Sequence, residues 1–267
     1  MKKWSYVNFL PVYGCISTGI IYVGVGTIAI LSFLKVKHGG ADESSLLAFL
    51  NHYFVGKIVF WLILAGTVSY VAWRIFESFK DPYGYGKGLK GIATRSGIAM
   101  STLPDILIAL TAMKITGGHS DVQINGQPVA ERHMVASILR TDPGDKVVIA
   151  MGIIICIAAL VQFLYGITRG YRERLNLDGF SRGRKQLTHS LAWTGYFARA
   201  VIVGIIGFFF IKAGILDSPE YIVNTDKAFD FIGDHIGHLY FILVALATIC
   251  YGLFMFILGT AYDVDKD

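Results

Sequence analysis

Apolar residues along this chain fall into six long blocks, roughly 14–34, 58–76, 97–113, 147–167, 192–211 and 239–261, and the polar residues gather between them. Each block is near the ~20 residues that a helix needs to cross a bilayer, with 97–113 the shortest. Lipid offers no partner to a bare peptide group, so a segment this long and this uniformly apolar is predicted to be an α-helix. Strands of a membrane barrel would be half as long and would alternate polar and apolar positions. The pattern therefore predicts an all-α, polytopic membrane protein with six transmembrane helices.

Charge adds an orientation to that picture. Of the 267 residues, 24 are Lys or Arg and 19 are Asp or Glu, for a net charge of +5. With both termini and the even-numbered connections on one side, that side holds fifteen bases and seven acids, and the other nine bases and twelve acids when Asp105 is assigned to it. Positive loops resist translocation, so the basic side is expected in the cytoplasm together with both termini. The run from Arg169 to Lys185 lacks interleaved aromatics and abuts two apolar blocks, so it reads as topogenic charge attracted to anionic headgroups and not as a nucleic-acid patch. Trp4, Tyr6 and Phe9 suggest an interfacial segment over residues 1–13, and the first block has the length of a span, not of a cleavable signal.

The chain repeats about every ninety residues. Each unit reads as a helix rich in small residues, a loop on the far side ending in a short amphipathic stretch, a glycine, and a second helix. Gly56, Gly144 and Gly237 stand at corresponding places, where the second helix enters the membrane. Tyr70 and Tyr251 each follow their glycine by fourteen residues. The units predicted are 14–80, 95–173 and 192–262, joined by a glycine-rich linker at 81–94 and a basic one at 174–191, with a tail at 263–267. This arrangement resembles the bacterial family described as domain of unknown function 1206, built from three tandem two-helix units. The resemblance covers roughly residues 14–262 and is carried best by the third unit, through Tyr196 and Arg199. The second departs furthest, with Pro104 and Asp105 interrupting its first helix and Gln162 in its second. It implies a six-helix protein of a bacterial inner membrane with an approximate threefold axis, and it brings no activity, cofactor or catalytic residue. Small faces formed by Gly19, Gly24 and Gly26, and by Ala200, Gly204 and Gly207, are expected to let backbones approach, with the first helices of the units making the inner contacts.

Asp105 is the one acid well inside a predicted span, where a charged carboxylate costs about 2.5–3.5 kcal/mol. Pro104 removes a backbone donor and crowds the carbonyl four residues earlier, which predicts a kink there. Ser101 and Thr102 share its face, making a polar notch. Two readings follow: a site for a proton or cation, or a structural pin in which Asp105 bonds Ser101 and a neighbour such as Gln162. A lone acid with no basic partner in the membrane favours the pin. Lys57, Arg74, Lys114 and Arg199 lie within about a turn of a block end and are expected to reach the headgroups. Arg95 and Arg199 hold similar places, which allows a shared role at a cytoplasmic mouth.

Other chemistry is thinner. His235 and His238 are a turn apart and His52 holds a comparable place in the first unit, a weak metal or haem pattern at the far rim. No metal or cofactor is expected. Cys15, Cys156 and Cys250 all fall in apolar blocks without metal-ligand spacing. Asn125-Gly126 predicts a small hairpin in the second far-side loop. No phosphate loop, dinucleotide fingerprint or nucleophile elbow is present, so no enzyme activity is expected. The sequence alone thus favours a structural or accessory membrane component that packs with partner helices or its own copies, with the bilayer as its surroundings and no nucleic acid. The rival readings are a channel or transporter for a proton, cation or small solute centred on Asp105, and a haem or quinone redox subunit.

Overall fold

The computed structural model describes residues 9–36, 40–81, 84–117, 126 and 128–262. Ten α-helices account for most of them: α1 (Phe9–Phe33), α2 (Glu43–His52), α3 (Phe54–Lys80), α4 (Leu89–Ser101), α5 (Leu103–Thr116), α6 (Val129–Leu139), α7 (Gly144–Ile167), α8 (Arg182–Ile215), α9 (Thr225–Phe231) and α10 (His238–Thr260). Five of them, α1, α3, α7, α8 and α10, are long and apolar enough to cross a membrane, and the chain is an all-α polytopic membrane protein. The block at 97–113 is divided, because α4 stops at Ser101 and α5 starts at Leu103 with Thr102 between them. Pro104, in the first turn of α5, cannot donate to the preceding turn, and Thr102 N–H falls back on the Ala99 carbonyl at 3.2 Å. Six uninterrupted spans thus become five plus a pair of half-length helices.

Element order runs long helix, short helix, long helix three times, with the first long helix of the middle unit in two pieces. The short helices α2, α6 and α9 are the amphipathic stretches expected before each glycine. Gly56 and Gly144 serve one purpose: a Cβ at either would collide with the carbonyl oxygen six residues back, of Leu50 and Ile138 respectively. Gly237 has another, a backbone φ of +128° where a π-helical turn, Ile232–Ile236, hands over to α10. Helices overrun their apolar blocks at the basic end. The N-cap Ser181 starts α8 ten residues before residue 192, so half of the stretch read as a basic linker is helical. Similarly, α4 begins at Leu89, inside the stretch read as a glycine-rich linker.

The packing order corrects the expectation that first helices meet in the centre. Instead α1 lies between α3 and α10, α10 between α1 and α8, α8 between α10 and α7, and α4 with α5 lines the outer side of α3. The small residues explain these neighbours. A Cβ on Gly19 would sit 3.0 Å from the Gly252 carbonyl oxygen, and one on Gly252 would sit 2.7 Å from that of Gly19, so α1 and α10 touch backbone to backbone. Gly26 faces Ala245 and Ile249 of the same helix, whereas Gly24 faces Leu46 of α2. Gly207 packs on Cys156 and Gly152 of α7, Ala200 is buried, and Gly204 has only Ala159 nearby at 3.8 Å.

All three far-side loops interlock at one end. Ala41 N–H donates to Asp226 Oδ1 (2.7 Å), Thr225 Oγ1 to Glu43 Oε2 (3.0 Å), Asn224 Nδ2 to the Gly126 carbonyl (2.9 Å) and Arg132 Nε to the Ile222 carbonyl (3.3 Å). At the other, basic end Asn176 N–H bonds the Ala261 carbonyl (2.8 Å) and Arg95 caps the end of α3 through the carbonyls of Ser78 (2.6 Å) and Phe79 (2.9 Å). The predicted hairpin at Asn125 and the N-terminal Trp4 and Tyr6 lie outside the described residues.

Candidate functional site: a charged column inside the bundle

Apolar blocks hide the most polar feature of the molecule. From the basic end, Glu77 of α3 is fully buried and accepts from Arg74 Nη1 at 3.1 Å and Arg174 Nη2 at 2.6 Å. Arg74 precedes it by three residues on the same helix face, and Arg174 arrives from the 3₁₀ turn Gly170–Arg174 that follows α7. Two guanidinium groups around one carboxylate are tolerable only because each hydrogen bond is charge-assisted, and removing the shared acid would strand both cations. Trp73 Nε1 donates to Tyr262 Oη at 3.2 Å beside them, tying the end of α3 to the end of α10.

One step deeper stands Arg199 of α8. Its Nη1 donates to Tyr251 Oη at 3.0 Å, and its guanidinium lies 4.7 Å from the ring centre of Tyr22 and 5.1 Å from that of Tyr251. Arg199 therefore joins α1, α8 and α10 through two aromatic faces, where the sequence placed it at the headgroups. Rings continue outward from it: Tyr22 meets Tyr251 edge-on at 5.0 Å, Tyr251 meets Tyr196 at 5.4 Å, and Tyr196 meets Tyr165 at 5.2 Å. A Cβ at Gly195 would strike the Tyr251 backbone, so that glycine admits this tyrosine.

Asp105, 5 % exposed in the first turn of α5, lies within electrostatic reach of Arg199, Arg74 and Glu43. A basic group, whose absence favoured a purely structural Asp105, is thus within electrostatic reach, on a helix ninety-four residues later. Thr102 is buried beside it at the helix break. Pro104 and Ser101 mark that break. Gln162 is not brought to Asp105: it stands on α7, and its Oε1 is buried without a hydrogen-bond partner.

Towards the far end the column reaches Glu43, Asp42 and Asp226. Asp42 caps α2 through Ser45 N–H (3.0 Å). Burial, aided by Glu43 and Asp226, pushes its carboxyl up to about 7 in spite of the Ser45 bonds. Burial raises Asp226 as well, against the lowering bond from Ala41 N–H. One oxygen of each, Oδ2, has no hydrogen-bond partner. A carboxyl held protonated removes the repulsion that two buried acids would otherwise carry.

Other candidate residues scatter. His235 stacks on Phe231 (4.6 Å), His238 meets Phe33 edge-on (5.6 Å) and His52 meets Tyr53 (5.2 Å), so the three imidazoles go to separate aromatic partners. Among the described residues no group of three His, Cys, Asp or Glu side chains is placed to hold a metal ion. Lys57 and Lys114 are exposed near helix ends, as reaching for headgroups requires. Arg95 caps α3 while Arg199 sits in the column, so these two arginines do not share a role.

The column can exchange protons at its carboxylates, hold the phenols of Tyr22 and Tyr251 as donors or acceptors, and present a permanent positive charge at Arg199. Comparison with known proteins names no activity. The chain is 24% identical over 249 residues to the uncharacterized protein YxxB of Bacillus subtilis (strain 168), covering 92% of this chain and 88% of that one. No solved structure matches it. One family profile matches twice, at residues 13–81 and 194–261, which take in the first and third units with Arg74, Glu77, Arg199 and Tyr251, and leave the divergent middle unit unmatched. On that double match the chain belongs to the family described as Domain of Unknown Function (DUF1206).

Proposed function

We propose that the protein moves protons across a bacterial inner membrane along the charged column, with Asp105 as the intramembrane carrier. Support comes from one juxtaposition: a buried carboxylate at an interrupted helix, within electrostatic reach of Arg199, Arg74 and the Glu43 carboxylate. Intramembrane ionisable groups at a broken helix are where transported species bind in other membrane proteins. A proton suits this site better than a metal cation. It neutralises Asp105 by forming an O–H bond, whereas a bare cation would also face the Arg199 guanidinium. In this reading the protein performs no covalent catalysis, the basic end and both termini face the cytoplasm, and Glu43 faces the far side.

Proteoliposomes enclosing a pH-sensitive dye test this under an imposed potassium diffusion potential. Wild-type vesicles acidify or alkalinise with the sign of the potential. Asp105→Asn, which keeps the shape and removes the titrating group, is expected to lower the rate at least ~10-fold, the scale of a lost proton-transfer group. An unchanged rate in a variant with an unchanged melting temperature removes the reading.

A second reading, a structural or accessory component that packs with partner helices or a second copy, is favoured by α7. Only 17% of its most apolar window is buried inside the bundle, against 61% for α1. A native-mass measurement in mild detergent that finds a strict monomer with no companion protein counts against it.

A further inference from the structure

We propose that the corner between the end of α7 and the start of α8 binds one anionic phospholipid, its phosphate in a basic cleft and an acyl chain in the adjoining aromatic groove. The cleft has a volume of about 960 Å³, and four of its lining residues are Arg169, Arg172, Arg182 and Lys185, with no acid on its walls among the described residues. Immediately beside it, Phe163, Gly166, Ile167 and Phe197 line a shallow apolar groove, and Trp193 belongs to both.

One face of α8 makes the two continuous. Arg182, Lys185, Gln186, His189, Ser190 and Trp193 fall at spacings of three and four residues, so they share a stripe, and Phe197 extends it by another turn. The stripe is basic and polar for its first two turns and aromatic thereafter. At 1.5 Å per residue it runs about 22 Å from Arg182 to Phe197, long enough to follow a lipid from headgroup into the acyl region. Trp193 stacks on Phe197 with ring centres 6.0 Å apart, giving the groove a flat wall at the depth where indoles favour the interface. Opposite, Arg172 is positioned by His189, whose Nε2 lies 3.2 Å from its Nη2, and His189 Nδ1 is 3.3 Å from Tyr171 Oη. These contacts hold the wall of the cleft in place. A free phosphate would use the cations and leave the groove idle; an anionic phospholipid uses both, which is why we assign the site to the lipid.

Retention of lipid by the purified full chain, read by native mass spectrometry in detergent doped with phosphatidylglycerol or phosphatidylcholine, tests the site. Phosphatidylglycerol is expected to be retained at least ~10-fold more than phosphatidylcholine, and R182Q together with K185Q to lower its retention by about the same factor, since each surface base contributes several-fold to headgroup attraction. Arg184→Gln removes an exposed charge from the same turn but outside the cleft and is expected to change nothing. Trp193→Ala is expected to weaken retention of phosphatidylglycerol with the cations intact. Equal retention of the two lipids, an equal effect of R184Q, or displacement of phosphatidylglycerol by inorganic phosphate from a W193A variant that retains it as well as wild type would each overturn the proposal.

Discussion

The outer two units and the middle one are held in the bundle by different sets of contacts. Units one and three meet through α1 and α10, where Gly19 and Gly252 bring backbone against backbone and close packing does the binding. The middle unit has no such seam with α1 or α10. Its pieces attach at the flanks, α4 and α5 to α3 and α7 to α8; it sends Asp105 inward, and the linker that follows it sends Arg174. The frame closes through small residues, and the insert adds buried ions to a glycine-lined seam of its own between α7 and α8. That division also matches the family profile, which covers the frame and omits the insert. It teaches that the parts with the plainest packing logic carry the family signature together with most of the charged column, to which the divergent part adds Asp105.

Removing a buried ion tests the comparison hardest. Glu77→Ala leaves Arg74 and Arg174 buried without their shared acid, and one broken buried pair costs about 3–5 kcal/mol. Thermal or denaturant unfolding in detergent is expected to register that loss, with the end of α7 released first as seen by proteolysis near Arg174. A cost under about 1 kcal/mol, as for an exposed ion pair, breaks the distinction between frame and insert.

The far-side lock gives an effect almost as large, with a sign set by Asp42. Folded, this carboxyl keeps its proton up to about 7, while an unfolded Asp loses it near 4. Between those values the folded protein binds more protons than the unfolded chain, so stability is complete below the window and falls as pH rises through it, by at most roughly 4 kcal/mol. Melting temperatures are expected to drop between about pH 4 and pH 7, and to drop less in Asp42→Asn, which still caps α2 and cannot titrate. An unaltered slope in that variant assigns the lock to Asp226 instead.

Much of the frame was legible because apolarity and length are local properties of the chain. Five spans, the three short helices and the glycines ahead of the second helices follow from them, as does the interruption beside Pro104. The column was not legible, for two physical reasons. Arg199 was measured from the edge of an apolar block, but α8 begins at Arg182, so this residue stands seventeen positions into a helix of 34, at its middle. Arg74 lies near a helix end, yet faces inward because Glu77 is there to receive it. Periodicity says where a helix is and not which neighbour covers it, so the approach of Arg199 towards Asp105, and the separation of Asp105 from Gln162, needed the packing order. One signal was available: Tyr22 and Tyr251 fall inside apolar blocks and not at their rims, where aromatic belts lie.

Glycine substitutions sharpen the comparison within single helices. At Gly252 a methyl group would stand 2.7 Å from the Gly19 carbonyl oxygen and 2.7 Å from Val23 N, both backbone atoms that no rotamer change can move. Gly252→Ala is therefore expected to cost about 1–3 kcal/mol, the range for overpacking a fitted contact. Gly207→Ala, against Cys156 Sγ at 2.7 Å and Cys156 N at 2.9 Å, falls in the same class, which makes the α7–α8 seam as close as the frame although α7 belongs to the insert.

Gly204 stands three residues before Gly207 and is the informative control. Its Cβ would meet only the Ala159 methyl at 3.8 Å, an ordinary contact. Gly204→Ala adds no clash and removes the backbone freedom that makes a mid-helix glycine unfavourable by about 0.5–1 kcal/mol, so the variant is expected to melt no lower than wild type. Small residues at 200, 204 and 207 look equivalent in sequence, and the seam uses them unequally. Its line of closest approach passes through Gly207 and Gly152 and has already opened by Gly204. A loss at Gly204 equal to that at Gly207 would place α7 nearer to α8 along its whole length and erase the difference between this flank contact and the backbone seam of α1 with α10.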